Sequence, residues 1–349
     1  MAHRNIAVFV PQLGCPHRCV FCDQRSITGH EVMSPETARE QIIRTLDTLS
    51  KEDEIEIAFF GGSFTGLPEP LIRKYLDTAL QCMDAGNKAG FRMTGIRMST
   101  RPDFISDATI ELLRSYPVTA VELGVQSMDD RVLALSKRGH TANDTVLAAE
   151  KLRQAGIPWV AQLMIGLPGA DPSSEKFTAA KVLELCPCAS RIYPTVVFAG
   201  SELETMMRKG SYVPLSLEDA VERGAAVLEI LQRGHLPVLR IGLCASEELS
   251  DSSCAVAGAT HPAIGELIRS QTALRQMEQL LDSQTERTDP TTFRIPVGML
   301  SVCIGQKRCN VNYLKSKYNL KRIIFTEQTV PCICLSADAE PENGGHNCF

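Results

Sequence analysis

Short apolar runs rich in β-branched residues recur along the first two thirds of the chain and alternate with amphipathic stretches. Apolar runs of this length predict buried strands, and the stretches between them predict helices. The predicted strands are Ile6–Val10, Ile55–Phe60, Gly95–Ser99, Ala120–Val125, Trp159–Ile165 and Ile192–Phe198, with Pro237–Leu243 as a further candidate. Strands that alternate with helices predict a parallel sheet, because parallel neighbours need a crossover connection.

Helix start signals lie between these strands. Ser34-Pro35 and Ser106-Asp107 have the residue types that cap helices, as do Asn143-Asp144 and Ser173-Ser174. A long helix is predicted over Ser216–Arg233. Six strand–helix units in about 200 residues predict an incomplete, TIM-like (β/α)6 barrel, with its chemistry at the carboxyl ends of the strands.

The apolar rhythm stops near residue 245, where Ser, Ala and Gly become frequent. We therefore predict three parts: a barrel over residues 1–245, a small α+β module over 246–330, and a flexible tail over 331–349. The α/β class and the large barrel are the main predictions about the fold.

Composition narrows the functional classes. The chain has no stretch of 18 apolar residues and no export signal, so we predict neither a membrane span nor secretion. A net charge of −5 argues against indiscriminate binding to nucleic acid. Thirteen cysteines without an export signal favour the reducing cytoplasm and a metal or catalytic role for closely spaced thiols. Four of the thirteen are interpreted as buried apolar residues: Cys82, Cys244, Cys254 and Cys303.

The strongest chemical signal is the spacing C-x3-C-x2-C formed by Cys15, Cys19 and Cys22. Three thiolates can hold three irons of a [4Fe–4S] cubane and leave the fourth iron open to a ligand. A zinc site would need a fourth ligand, for which His17 and Asp23 are the nearby candidates. A non-catalytic iron–sulfur or zinc protein therefore stays open as an alternative.

This motif, with the aromatic Phe21 before its last cysteine, resembles the signature of the radical SAM superfamily. The resemblance extends over residues 5 to about 200 through FFGGSFTG after the second strand, VELGVQS in the fourth and QLMIGLPG in the fifth. STRPD, GVQS, KRGHT and GLPG are most similar to the catalytic subunit of Elongator and to oxygen-independent coproporphyrinogen oxidase.

The resemblance implies that a [4Fe–4S] cluster reductively cleaves S-adenosylmethionine (SAM) to methionine and a 5′-deoxyadenosyl radical. It implies catalytic roles for the three cysteines and Arg138. It also implies SAM contacts for Phe21, Gly61, Gly62, Ser63, Ser99, Gln126, Arg138 and Gly166. An electron donor of the flavodoxin or ferredoxin type would supply electrons to the cluster.

Several residues keep an alternative interpretation. Arg138 is either a ligand of the SAM carboxylate or a cation at a helix end, and Arg101 either contacts SAM or substrate or only pairs with Asp103. His140 is predicted to be an exposed turn residue. Ser99 and Gln162 stand where the coproporphyrinogen enzyme has carboxylates, which argues against porphyrin chemistry.

The small module after the barrel has features that indicate the class of substrate. A predicted strand, Thr292–Val297, is followed by helices over Gly298–Ile304 and Asn310–Tyr318 and a strand over Arg322–Thr326, an order that resembles a KH domain. The loop Gly305-Gln306-Lys307-Arg308 replaces the last glycine of the KH loop. Six basic residues and no acidic one lie between Ile304 and Phe325, among them Lys307, Arg308 and Lys315.

These features predict an RNA substrate, such as a tRNA, with Lys307, Arg308 and Lys315 on its phosphates. A small molecule such as a tetrapyrrole is the alternative substrate. Since 349 residues leave no room for the acetyltransferase half of Elongator's catalytic subunit, we expect no carboxymethylating reaction that uses acetyl-CoA. A second cluster would need Cys186, Cys188, Cys332, Cys334 and Cys348, whose spacing is a weak signal.

Overall fold

The architecture was obtained as a computed structural model, which describes residues 2–10, 15, 19–22, 33–243, 254–285 and 289–336. The barrel strands are β1 His3–Val10, β2 Glu54–Gly61, β3 Arg92–Thr100, β4 Val118–Gln126, β5 Trp159–Ile165, β6 Ala189–Pro194 and β8 Val238–Ile241. The helices between them are α1 Pro35–Leu46, α2 Glu69–Lys88, α3 Asp107–Arg114, α4 Asp130–Leu135, α5 Ala142–Gln154, α6 Pro172–Glu184, α7 Glu202–Arg208 and α8 Leu217–Arg233.

The seven barrel strands form one sheet in the order β1-β2-β3-β4-β5-β6-β8, and each neighbouring pair is parallel. The predicted incomplete α/β barrel is confirmed, and the candidate strand at Pro237–Leu243 provides the seventh member. The helices pack on the outer face, where one continuous apolar core runs from Ile6 to Ile268. Every barrel strand therefore ends at the same rim, which is where the predicted site residues lie.

The sixth predicted strand is wrong in its extent. Pro194 and Thr195 divide Ile192–Phe198 into β6 and a separate strand β7, Val196–Phe198. Strand β7 pairs antiparallel with β9, Ala255–Gly258, outside the barrel sheet. The Thr195 N–H donates to the Ile165 carbonyl at 2.9 Å, which holds the chain at the end of β5 and turns it away from the sheet.

Two of the predicted caps lie two residues too late. Thr141 caps α5 and Asp171 caps α6, while Asp144 and Ser174 bond back to the cap as the partner in a capping box. Ser34 and Ser106 cap their helices as predicted, and Ser216, predicted as the first residue of its helix, is the cap of α8.

The amino-terminal half of the barrel interior is filled by a layer of buried ion pairs. Arg97 lies between Glu56 and Glu122, at 3.3 and 3.5 Å, and Arg191 donates to Glu122 at 2.9 Å. Glu122 is 1% exposed. A cavity of about 580 Å³ opens beside this layer, at the end of the barrel opposite the predicted site. The layer closes the barrel floor with charges rather than with apolar side chains.

Replacing Glu122 by glutamine is expected to destabilise the protein by about 3–5 kcal/mol, because it leaves two buried arginines without their shared carboxylate. Urea unfolding followed by circular dichroism measures this loss. The control is Glu184→Gln, which removes an exposed pair with Lys181 and should cost less than about 1 kcal/mol. Equal stability of the two variants would show that the layer adds nothing to folding.

The C-terminal module has its own apolar core and its own sheet. It comprises α9 Ile264–Asp282, β10 Thr291–Pro296, α10 Leu300–Ile304, α11 Cys309–Tyr318, β11 Ile323–Gln328 and β12 Cys334–Leu335. The predicted order strand–helix–helix–strand is present, with β10 and β11 parallel. The buried side chain of Asn310 donates to the carbonyls of Val302 and Cys303 at 3.3 Å and so joins the two helices.

The predicted flexible tail begins too early at residue 331. Strand β12 pairs antiparallel with β10, and Ile333 and Leu335 are buried in the module core. Burial of these apolar side chains stabilises the packing of the segment on the module. Among the described residues, no helix combines the length and apolar character needed to cross a membrane.

Candidate functional site

The predicted cluster cysteines lie at the carboxyl rim of the barrel, next to residues from three strands. The Ser63 hydroxyl, just after β2, lies 4.0 Å from the Cys15 sulfur. The Arg138 guanidinium donates to the Cys19 sulfur at 3.5 Å. The fold therefore brings the cysteine segment together with two of the residues predicted to contact SAM.

Backbone hydrogen bonds hold the middle of the cysteine segment on both sides. The Val20 N–H donates to the Ser136 carbonyl at 3.2 Å, and the Val20 carbonyl accepts from the Leu203 N–H at 2.8 Å. The Val20 side chain is buried with Leu203 and Tyr212, and Phe21 packs against the same small cluster. This packing fixes Phe21, the residue predicted to lie near the adenine.

The first glycine after β2 is required by its backbone geometry. Gly61 has a φ of +100°, and a Cβ atom there would lie 3.1 Å from the Val10 carbonyl of β1. Any other residue would combine a strained backbone with a close contact to main-chain atoms. Gly62 is half-buried and Ser63 is buried, so the strand end presents main chain and one hydroxyl to the rim.

Gln126 and Arg138, twelve residues apart in sequence, converge over Gly124. A Cβ atom on Gly124 would lie 2.5 Å from the Arg138 guanidinium and 3.1 Å from the Gln126 amide. Arg138 donates to the Gly124 carbonyl at 2.9 Å and is 8% exposed. Gln126 ends β4 with a φ of 64°, which turns its side chain out of the regular alternation of the strand. The structure thus supplies a spatial reason for this pair.

Arg101 extends the polar cluster from the end of β3. Its guanidinium forms a bidentate pair with Asp103, at 2.9 and 2.8 Å, and the residue is 1% exposed. The predicted pairing with Asp103 is therefore confirmed. Ser99 lies two residues earlier on the same strand face and is half-buried.

The prediction that His140 is an exposed turn residue is wrong. His140 is 5% exposed, and burial together with Arg138 and Arg101 lowers its pKa to about 3. Neither ring nitrogen has a hydrogen-bond partner within the described structure, although the Val125 main chain lies nearby. Sequence reasoning missed this residue because a polar stretch before a helix cap carries no sign of burial.

Unpaired polar atoms concentrate at this cluster. Twelve buried side-chain nitrogen or oxygen atoms of the described residues lack a hydrogen-bond partner, and five of them belong to Arg101, Gln126, Arg138 and His140. Each unmet buried group costs about 1–3 kcal/mol. A polar ligand that meets these groups would recover that cost, so the arrangement fits a bound molecule with anionic and hydroxyl groups.

The main chain at the end of β5 is fixed by side chains. The Gly166 N–H donates to Glu175 at 2.7 Å, and its carbonyl accepts from the Tyr212 hydroxyl at 2.8 Å. Glu175 is paired with Arg223 at 2.8 Å, and burial raises the pKa of this carboxyl. Glu175 and Tyr212 therefore occupy both main-chain polar groups of Gly166, and the Leu215 side chain packs directly against it.

Sequence comparisons agree with this geometry. The profile of the Radical SAM superfamily matches residues 9–180, and that of the Radical_SAM C-terminal domain matches residues 187–274. The chain belongs to the radical SAM superfamily. The cofactors of this superfamily are a [4Fe–4S] cluster and SAM. The group of polar side chains at the rim fits SAM.

Two curated relatives narrow the likeness within the radical SAM superfamily. The tRNA uridine(34) acetyltransferase of Methanocaldococcus infernus is 30% identical over 260 residues, which cover 62% of this chain and 47% of that protein. Human Elongator complex protein 3 is 26% identical over 267 residues, which cover 65% and 49%. The chain thus spans about half the length of these relatives. The structure of Methanocaldococcus infernus Elp3 with an N-terminal deletion matches with a TM-score of 0.60 and 24% identity, covering 79% of this chain and 63% of that one.

Four of the other described cysteines lie away from the radical SAM rim. Cys186 and Cys188 precede β6 at the opposite end of the barrel, and Cys332 and Cys334 lie at β12. Cys82 and Cys303 are buried as predicted, Cys254 is half-buried, and Cys244 and Cys348 lie outside the described residues. Within the described ranges, which omit His17 and Asp23, no three or more His, Cys, Asp or Glu side chains are grouped to hold a metal ion.

The basic loop of the module has an unusual backbone. Lys307 and Arg308 are exposed and both adopt the left-handed conformation, with φ of 51° and 63°. Neither forms an ion pair with any described residue, and the same holds for Lys315 on α11. Lys317, by contrast, is paired with Glu278 at 2.7 Å. The pairing of Lys317 therefore removes one of the six basic residues from the charge available to a partner, and the two loop residues keep theirs.

Proposed function

We propose that the chain binds a [4Fe–4S] cluster through Cys15, Cys19 and Cys22 and binds SAM beside it. The observation that carries this proposal is the convergence of unmet polar groups from Arg101, Gln126, Arg138 and His140 next to the cysteine segment. When bound, the cluster supplies the electron that cleaves SAM to methionine and a 5′-deoxyadenosyl radical.

The residues of the rim would then divide the recognition of SAM among them. Arg138 offers its guanidinium to the carboxylate, and Gln126 offers its amide to the ribose. Gly61 and Gly62 bring main chain close to the amino group, with Ser63 beside them. The remaining contacts assigned by this proposal are Phe21 near the adenine, and Ser99 and Gly166 lining the pocket.

His140 contributes by being neutral. Burial and the two arginines keep its pKa near 3, so the ring is uncharged throughout the physiological range. A charged ring would repel Arg138 and Arg101, whereas a neutral ring can lie against both without that repulsion.

The test is anaerobic reconstitution with iron and sulfide, followed by dithionite and SAM and an assay for 5′-deoxyadenosine. Product that depends on both reductant and SAM is the expected result. A protein that holds zinc and yields no product would overturn the proposal and favour a metal-binding protein without catalysis.

We propose further that the substrate is RNA, of which a tRNA is the leading candidate. The support is the exposed, unpaired Lys307–Arg308 loop between two helices, together with the names of the relatives that act on tRNA. Backbone phosphates are the groups that such a loop would recognise. On this proposal the enzyme is cytoplasmic and receives electrons from a flavodoxin- or ferredoxin-type donor.

Replacing Lys307 and Arg308 together by alanine is expected to weaken tRNA binding and to reduce the salt dependence of log Kd by about one for each phosphate that the loop no longer binds. Filter binding at several salt concentrations measures both effects. The control replaces Arg73 and Lys74, an exposed basic pair on α2, by alanine. 5′-Deoxyadenosine formation without RNA should stay unchanged in both. Equal affinity and salt slope in the two double variants would argue for a small-molecule substrate.

A further inference from the structure

Arg101 is the largest fully buried side chain in the described chain, although it carries a charge. Two of its nitrogens are engaged by Asp103, and the third, Nη1, has no hydrogen-bond partner within the described residues. A guanidinium taken out of water in this way is costly unless further negative charge lies nearby. The ion pair with Asp103 therefore offsets only part of the cost of burying Arg101.

Arg101 lies close to the cysteine segment. Arg101 follows β3, which lies in the sheet between β2 and β4. Ser63, just after β2, contacts the Cys15 sulfur, and Arg138, which follows β4 in the chain, donates to the Cys19 sulfur, so Arg101 lies between the elements that touch the two cysteines. Burial lowers the pKa of Arg101, but Asp103 and the two cysteines offset burial and keep this pKa above its ordinary value. Its positive charge is thus permanent and within electrostatic reach of both sulfurs. Arg138 adds a second cation at 3.5 Å from Cys19, and the neutral His140 adds none.

We infer that Arg101 is a fixed positive charge that raises the reduction potential of the cluster held by Cys15, Cys19 and Cys22. This inference rests on the proposed function. A cluster with three thiolate ligands carries net negative charge, and reduction makes that charge larger. A buried cation beside it stabilises the reduced form more than the oxidised form, and net charge is one of the properties that set cluster potentials.

The test is a redox titration of the reconstituted full-length protein without SAM, followed by electron paramagnetic resonance. Arg101→Met keeps the length of the side chain and removes the charge. At the midpoint potential of the wild type, the ratio of reduced to oxidised cluster should fall about tenfold, which is about 59 mV for a one-electron couple. Arg101→Lys keeps the charge and should stay near the wild type.

The variant Asp103→Asn is expected to shift the midpoint potential in the opposite direction. It removes the carboxylate that partly neutralises Arg101, so the midpoint potential should rise. The matched control is Arg97→Met, a buried arginine four residues earlier on β3 and therefore about 13 Å further from the rim. Its midpoint potential should equal that of the wild type.

An unchanged midpoint potential in Arg101→Met would overturn the inference and leave the proposed function standing. Shifts of the same sign in Arg101→Met and Asp103→Asn would also overturn it, because they would reflect a disturbed site rather than a charge. A wild-type protein that takes up no cluster would overturn the proposed function and this inference with it.

Discussion

Replacing Cys19 by alanine is expected to abolish 5′-deoxyadenosine formation. Cys19 is 5% exposed and its sulfur lies beside the Arg138 guanidinium, at the centre of the polar cluster. With one of three proposed thiolate ligands removed, the cluster loses a bond that no neighbouring side chain among the described residues is placed to replace. Iron content and product after anaerobic reconstitution measure the two consequences.

The matched control is Cys82→Ala. Cys82 is equally buried, at 4% exposure, but lies on α2 in the apolar core and away from the rim. Its replacement should cost about 1 kcal/mol of stability through the missing buried atom and leave product formation intact. If Cys19→Ala kept full activity, or if Cys82→Ala abolished it, the assignment of the cysteine segment would be wrong.

Replacing Arg138 by methionine is expected to weaken SAM binding by about 2–5 kcal/mol, which is roughly 30-fold to 4,000-fold in Kd. The guanidinium is buried and braced by the Gly124 carbonyl, so its orientation is set before any ligand arrives. Removal of the charge leaves a buried carboxylate of SAM without its partner. Equilibrium binding of SAM to the oxidised, cluster-loaded protein measures the effect.

Lys137→Met is the control for Arg138. Lys137 is the preceding residue, is exposed and is paired with Glu202 on α7, so its replacement removes one positive charge without entering the cluster. Its SAM affinity should match the wild type. An Arg138→Met protein that binds SAM normally would favour the alternative in which Arg138 is only a cation near the end of α4.

The strands and the position of the site were predictable because both depend on local patterns. Trp159–Ile165 was predicted with its observed bounds, because six of its seven residues are apolar, as expected for a strand buried in a parallel sheet, and a glycine follows directly. The cysteine spacing and the glycines after β2 are equally local. Gly61 shows why: its left-handed backbone next to β1 leaves no other residue type.

What could not be predicted depends on contacts between distant segments. His140 is buried because its loop packs against the barrel rim, where Arg101 from the end of β3 adds its charge to that of Arg138 in the same loop. The pairing of β7 with β9 joins segments about 60 residues apart, and the second of these has no clear apolar pattern. The role of Glu175 in holding Gly166 likewise appears only in three dimensions.

The two hydrogen bonds that hold Val20 have a consequence for how the sequence can drift. Both use main-chain atoms, from Ser136 and Leu203, which are present whatever side chains stand there. The side chains at these three positions can therefore change to others of suitable size without releasing the cysteine segment. Proline at 20 or 203 is the exception, because it removes the donating N–H. The cysteine segment is thus held through main-chain atoms, and these two hydrogen bonds would survive long divergence in sequence.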